Sequence, residues 1–207
     1  MKTILHLCAD IGSDSKPYKD AGYNVILVGK EIGVENYTPP EDVYGMFSNP
    51  VCTEFSVAGN GFHKHGNYEK GMFLVNHCER IRKLIDPRKL KFYVIENPAT
   101  GRLKNFLGKP TYQYEPWWFG SPWTKETALW GEFNIPTPKY NKWHQVPKND
   151  KLYIRPSRSK PSMAQFHYND IRHIEEFQCF KSVIKDDMSL RSLCSQNFAQ
   201  AFYEVNQ

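Results

Sequence analysis

Thr3-Ile4-Leu5-His6-Leu7-Cys8, then Ala9-Asp10-Ile11-Gly12-Ser13-Asp14-Ser15, then Asn24-Val25-Ile26-Leu27-Val28 decide the fold. The first and last segments read as strands, the last one rich in β-branched residues. The polar turn between them leads into a short helix that Ser15 or Asp14 can cap, with Pro17 in its first turn and Gly22 just past its end. A third strand is expected from Val43 to Phe47, after the Pro39-Pro40 loop. Tyr68 to Ile85 is the clearest helix, because Leu74, Cys78, Ile81 and Ile85 recur on one face and Asp86-Pro87 stops it. Phe92 to Ile95 returns as a strand. Strand alternating with helix at these lengths predicts an α/β fold with a parallel sheet and helices on both faces.

Two of these strands deliver reactive groups. Asn49-Pro50-Val51-Cys52-Thr53-Glu54-Phe55-Ser56 follows the third strand, and Glu96-Asn97-Pro98 follows the strand at Phe92. Parallel sheets place their chemistry at the carboxyl ends of strands. Cys52 and Glu96 are separated by 44 positions, room for one helix and one returning strand. A thiol and a carboxyl group can thus meet at two edges of one flat substrate. Amide donors in the turn at Cys52 are expected to lower its thiol pKa.

The 207 residues suit one domain with a small appendage. A formal charge of +5 permits a polyanionic partner without requiring one. The five cysteines are odd in number and scattered, which fits reduced thiols in a cytoplasmic protein better than a disulfide framework. The apolar start is too short for a signal sequence, and no segment approaches the roughly 20 apolar residues of a membrane span. All five tryptophans fall between residues 108 and 165. That stretch is rich in proline, with short strands expected near Thr111–Tyr114 and Ala128–Trp130 and an irregular run from Pro136 to Ser162. From Ser195, an N-cap, helical period returns, with Phe198, Ala201, Phe202 and Val205 on one face.

These motifs resemble those of the DNA cytosine-C5 methyltransferases. Pro50-x-Cys52-x-x-Phe55-Ser56 is similar to the family's PPCQxFS, and Glu96-Asn97-Pro98 to its ENV. Leu5 to Ser13 resembles the LDLFxGxGG cofactor loop, and Ala21-Gly22-Tyr23-Asn24-Val25 its AGxxV. Phe119 to Lys125 resembles the YGxPQxR region, and the closing helix that of a compact phage- or prophage-encoded branch. The resemblance implies a Rossmann-like methyltransferase core over 1–107 and 189–207, with 108–188 as an irregular insert. It implies Cys52 as nucleophile on a cytosine ring and Glu96 at its N3 edge. It implies S-adenosylmethionine held near Cys8, Asp10, Gly12, Ser13, Glu31, Asn49 and Pro50. Substrate would be held by Thr53, Phe55, Ser56, Asn97 and Lys125, with DNA as the partner and no membrane.

The chain also departs from that pattern. Asp10 replaces the loop's first glycine, adding bulk and charge where the donor would lie, and the usual large recognition domain is missing. A decayed methyltransferase-like module that binds nucleic acid or protein is therefore a second reading. A third keeps the same chemistry but acts on RNA or a nucleotide. Read alone, Cys52 is a small core residue and Lys125 a surface lysine. His63 with His65, and His77 with Cys78, invite a zinc reading, but adjacent helical side chains diverge and a solvated loop suits the first pair better. The tryptophans read as a small core or as a stacking surface, and Arg155, Arg158 and Lys160 as a solvated run or a phosphate track.

Overall fold

The computed structural model describes residues 1–56 and 66–207; His63 and His65 lie outside that range. Its centre is a six-stranded sheet in the order β2-β1-β3-β4-β6-β5. β1 (Thr3–Leu7), β2 (Asn24–Val28), β3 (Val43–Ser48) and β4 (Phe92–Pro98) are parallel. β6 (Thr127–Glu132) runs antiparallel between β4 and β5 (Tyr112–Tyr114). From β1 the chain steps outward to β2, then crosses to β3 on the other side of β1. That reversal is a topological switch point, and the fold is α/β and Rossmann-like.

Alternation along the strands explains the layers. Ile4, Phe47, Phe92 and Val94 face α1 (Lys16–Asp20) and α5 (Gln196–Asn206) in one aromatic-rich core. Leu5, Leu7 and Met46 face the other way, onto Cys78 and Ile81 of α2 (Tyr68–Leu84). Helices therefore cover both faces, and β1 is buried along its whole length. α2 begins at Asn67, whose side chain accepts from the Lys70 amide. α5 begins at Ser195, which accepts from the Phe198 amide at 3.2 Å. The face that α5 buries is Phe198, Ala199, Phe202 and Asn206, so Val205, expected inward, is 38% exposed. Asn206 displaces it by bonding the backbone of Asn134.

Residues 108–188 do not stand apart as one insert. β5 and β6 join the main sheet, and Trp130 and Ala128 pack with Phe55 and Val75 on the α2 side. A second small core gathers Trp123, Phe166, Phe177, Leu190 and Leu193. It is built largely from short 3-10 turns such as Tyr168–His173 and Glu175–Phe180. Leu190 of α4 (Asp187–Ser192) lies in it, although 189–207 was expected to belong to the sheet's own core. Ile11 of the β1–α1 loop packs against the same cluster, which joins the two cores.

Candidate active site

The carboxyl ends of β1, β3 and β4 are neighbours by register. Leu7 pairs with Ser48, and Ser48 with Ile95, so Asn49 and Glu96 fall side by side. Glu96 is not in a loop as expected. β4 runs on to Pro98 because β6 pairs with it, Glu96 opposite Leu129. The Asn49 amide donates to Glu96 Oε2 and to Asp14 Oδ1, both at 3.4 Å. Asn97, 1% exposed, donates to the Pro50 carbonyl at 2.9 Å and so pins the loop that carries Cys52. The amides of Phe55 and Ser56 donate to the Cys52 carbonyl and close a tight turn after it.

Electrostatics bind Cys52, Glu96 and Lys125 into one group. Burial pushes the Glu96 carboxyl up to about 7; Lys125 and the Asn49 hydrogen bond oppose the shift, and Asp14 adds to it. Burial also pushes the Cys52 thiol up, as does Glu96, while Lys125 pulls it down. This corrects the expected lowering at Cys52: a backbone amide does act in that direction, but burial and the Glu96 charge outweigh it. Lys125 Nζ is steadied by the Leu193 carbonyl at 2.9 Å. Arg102 donates to the Tyr68 hydroxyl at 2.6 Å.

A buried polar chain behind these groups escaped the sequence reading. His6, 1% exposed in the middle of β1, places Nδ1 2.9 Å from Ser15 Oγ and Nε2 2.8 Å from Asn49 Oδ1. Asn49 Oδ1 can only accept, so Nε2 carries the proton and Nδ1 accepts from Ser15. Burial lowers the His6 pKa against the pull of Asp14 and the Asn49 hydrogen bond, which keeps the ring neutral. The chain Ser15–His6–Asn49–Glu96 therefore fixes which way Asn49 faces. A histidine inside an otherwise apolar strand was the available signal.

The expected cofactor and substrate residues divide. Cys8 takes a left-handed backbone (φ 55°) and sends its sulfur 3.8 Å from Cys78 Sγ, into α2. Ser13 is buried: its hydroxyl accepts from the Cys194 amide at 3.0 Å and donates to Asp14, so it closes the loop against the chain's own C-terminal segment. Pro50 is buried, and Asn49 serves His6 and Glu96. Phe55 is fully buried and stacked on Tyr68 in the core on the α2 side. Thr53 is exposed and Ser56 half-buried beside Cys52.

Asp10, Gly12 and Glu31 remain at the mouth of β1 and β2. The exposed Asp10 carboxylate accepts from the Lys30 amide at 3.0 Å. A Cβ on Gly29 would stand 2.1 Å from its Oδ1, so the glycine lost from the β1 loop is matched by one at the β2 end. Gly12, at φ 75°, turns the loop under Leu27. Asp10 and Glu31 are both exposed and give this rim a negative charge. Among the described residues, no group of three or more His, Cys, Asp or Glu is placed to hold a metal, and no helix is long and apolar enough to cross a membrane. A shallow hollow lined by Met1, Lys2, Asp42, Val43, Tyr44 and Lys89 lies at the opposite edge of the sheet.

No protein-family model matches the chain, and no curated protein matches it. Many solved structures are similar to it, among them two methyltransferases at low identity. One is a candidate DNA modification methyltransferase encoded within a prophage (E. coli), 14% identical over 90% of this chain and 70% of that one, with a TM-score of 0.47. The other is the methyltransferase EhMeth of Entamoeba histolytica, 14% identical over 83% of this chain and 64% of that one, with a TM-score of 0.42.

Proposed function

We propose that the chain is a transferase that adds a methyl group to C5 of cytosine in DNA. The observation that carries this reading is the meeting of Cys52, Glu96 and Lys125 at adjacent strand ends, with Glu96 held by Asn49 and its carboxyl pushed up to about 7. Cytosine C5 is a poor nucleophile. Addition of the Cys52 thiolate to C6, with transfer of the Glu96 proton to N3, converts the ring to an enamine nucleophilic at C5. A carboxyl group still protonated near neutral pH can make that transfer. Loss of the C5 proton to solvent water, with expulsion of the thiolate and return of the N3 proton to Glu96, restores the ring and both residues. Lys125 favours the thiolate and steadies the pair. The base must leave a duplex to reach both groups.

S-adenosylmethionine, when bound, supplies an electrophilic methyl group at a sulfonium centre. Asp10, Gly12 and Glu31, beside the switch point, are the residues that would hold it. The test is covalent trapping on oligonucleotides containing 5-fluorocytosine, where fluorine blocks the elimination. Wild type and Cys78→Ser should form the adduct, and Cys52→Ser should not. An adduct formed by Cys52→Ser at the normal rate overturns the assignment.

A second reading, a non-catalytic nucleic-acid-binding module, draws on one observation. Ile11 and Ser13 of the loop are packed and bonded to the chain's own later segments. Calorimetry with S-adenosylhomocysteine separates the two, since the module binds none.

A further inference from the structure

The chain's positive charge is not spread over its surface. Residues 139–160 hold seven of the 27 Lys and Arg and one of the 22 Asp and Glu, a net +6 against +5 for the whole chain. Everything outside these 22 positions therefore carries a net −1. Six of the seven cations are exposed, and among the described residues none of the seven forms an ion pair. Such a concentration repels itself. Asp150 is the one acid within the segment and Glu115 offsets Lys160 in part, so most of the excess is left for a counter-charge from outside.

The cations are also held in place. Lys160 Nζ stands 4.5 Å from the centre of the Trp117 ring and 5.4 Å from that of Trp143. Lys148 Nζ stands 4.0 Å from the centre of the Trp143 ring and donates to the Val146 carbonyl. The rings of Trp117 and Trp143 meet edge to face at 6.1 Å. These tryptophans are half-buried and already carry ammonium groups, so they fix cations and are not open platforms for bases. Arg155 and Arg158 follow on a turn, closed by the Arg158 amide on the Arg155 carbonyl.

The segment also leads to the candidate site. Just past Lys160, Ser162 bridges to Thr124, and the Thr124 amide donates to the Pro161 carbonyl. Next along is Lys125, whose charge both Cys52 and Glu96 feel. Glu115 links the two ends, since it accepts from the Lys125 amide and feels the charge of Lys160. A polyanion lying along 139–160 would thus reach the Cys52–Glu96 edge.

We propose that residues 139–160 are a track for the sugar–phosphate backbone of a nucleic acid. This rests on the nucleic-acid part of the functional reading and not on its chemistry. Arginine and lysine on phosphates give a salt-dependent, sequence-tolerant grip, losing a slope of about 0.9 per contact on duplex DNA.

Binding of labelled duplex DNA, single-stranded DNA and RNA, and of vesicles of anionic phospholipid, tests the track by fluorescence anisotropy and co-sedimentation across a salt series. Lys151→Glu/Arg155→Glu/Arg158→Glu is compared with Lys19→Glu/Lys83→Glu/Lys181→Glu, which makes the same charge change on exposed lysines elsewhere. Both must keep the wild-type circular dichroism and melting temperature. The track variant should lose at least tenfold in affinity for a nucleic acid near 0.1 M salt, and its log–log salt slope should fall by about two to three. The control should change little. Which nucleic acid wild type prefers assigns DNA or RNA. Equal losses in both variants, no nucleic-acid binding by wild type, or binding to vesicles alone each overturn the proposal. Cys52→Ser runs alongside: if it binds normally and wild type forms no 5-fluorocytosine adduct, the chemistry fails and the track stands.

Discussion

At the residue scale, Glu96 sets the pH behaviour. Its folded pKa of about 7 stands above the ordinary carboxylate value, so the folded state holds a proton that the unfolded chain has already released. Stability contributed by this site is therefore intact below the ordinary carboxylate range and is lost as pH rises toward 7. Glu96→Gln, which cannot ionise, should match wild type near pH 4 and exceed it by about 1–2 kcal/mol at pH 8, after discounting for the partial exposure of Glu96. Melting curves at the two pH values check this. Unchanged differences would mean that the carboxyl ionises normally in the fold. Cys52 and Glu96 could be picked out as a pair because both stand beside apolar runs. The partner that orients them, His6 through Asn49, could not, because it depends on the β1–β3 register and on Ser15 folding back. His6→Leu should leave Asn49 Oδ1 unpaired at a cost of about 1–3 kcal/mol and free its amide to swing from Glu96. Removing that donor raises the Glu96 pKa further, so the alkaline limb of a pH–rate profile, where the proton to be given is lost, should move to higher pH. An unmoved limb confines His6 to stability.

At the element scale, the strands and α2 were legible because each is an uninterrupted apolar pattern with its own stop signal. Glu96 shows where that reading falls short: β4 continues past Ile95 only because β6 pairs with it, and a pairing partner more than thirty residues later leaves no local trace. The inward face of α5 was misjudged for a similar reason. Asn206 is polar, yet it is drawn inside by the backbone of Asn134, which turns Val205 outward. The anchor of that helix is Phe202, 1% exposed and packed on Phe47, Phe92 and Phe133. Phe202→Ala should cost about 3–5 kcal/mol in denaturant unfolding, whereas Val205→Ala on the same helix should stay within about 1 kcal/mol. Comparable losses at the two positions would show the helix docked in a different rotation.

At the scale of the whole molecule, the question is whether the small core of 3-10 turns folds with the sheet or beside it. Composition suggested a separate insert, since proline and tryptophan crowd into it, but composition cannot show which tryptophan belongs to which core. Trp130 packs in the sheet's core and Trp123 in the small one. The link between them is Glu176. It accepts from Trp123 Nε1 at 3.1 Å, from Ser195 Oγ at 3.2 Å and from the Gln196 amide at 2.7 Å, so one carboxyl group ties the small core to the start of α5. Burial raises its pKa despite those donors, the cost of holding a carboxyl group in that junction. With Ile11 and Ser13 making a second tie from the β1 loop, the two cores should unfold together. Tryptophan fluorescence and far-ultraviolet circular dichroism should therefore give coincident urea transitions for wild type. Glu176→Ala removes the shared anchor and leaves the Trp123 and Gln196 donors unpaired, so it should lower stability by about 1–3 kcal/mol and let the fluorescence transition run ahead. If the two signals already separate in wild type, the small core is an independent unit. The loop beside the candidate cofactor rim would then be only loosely held by it.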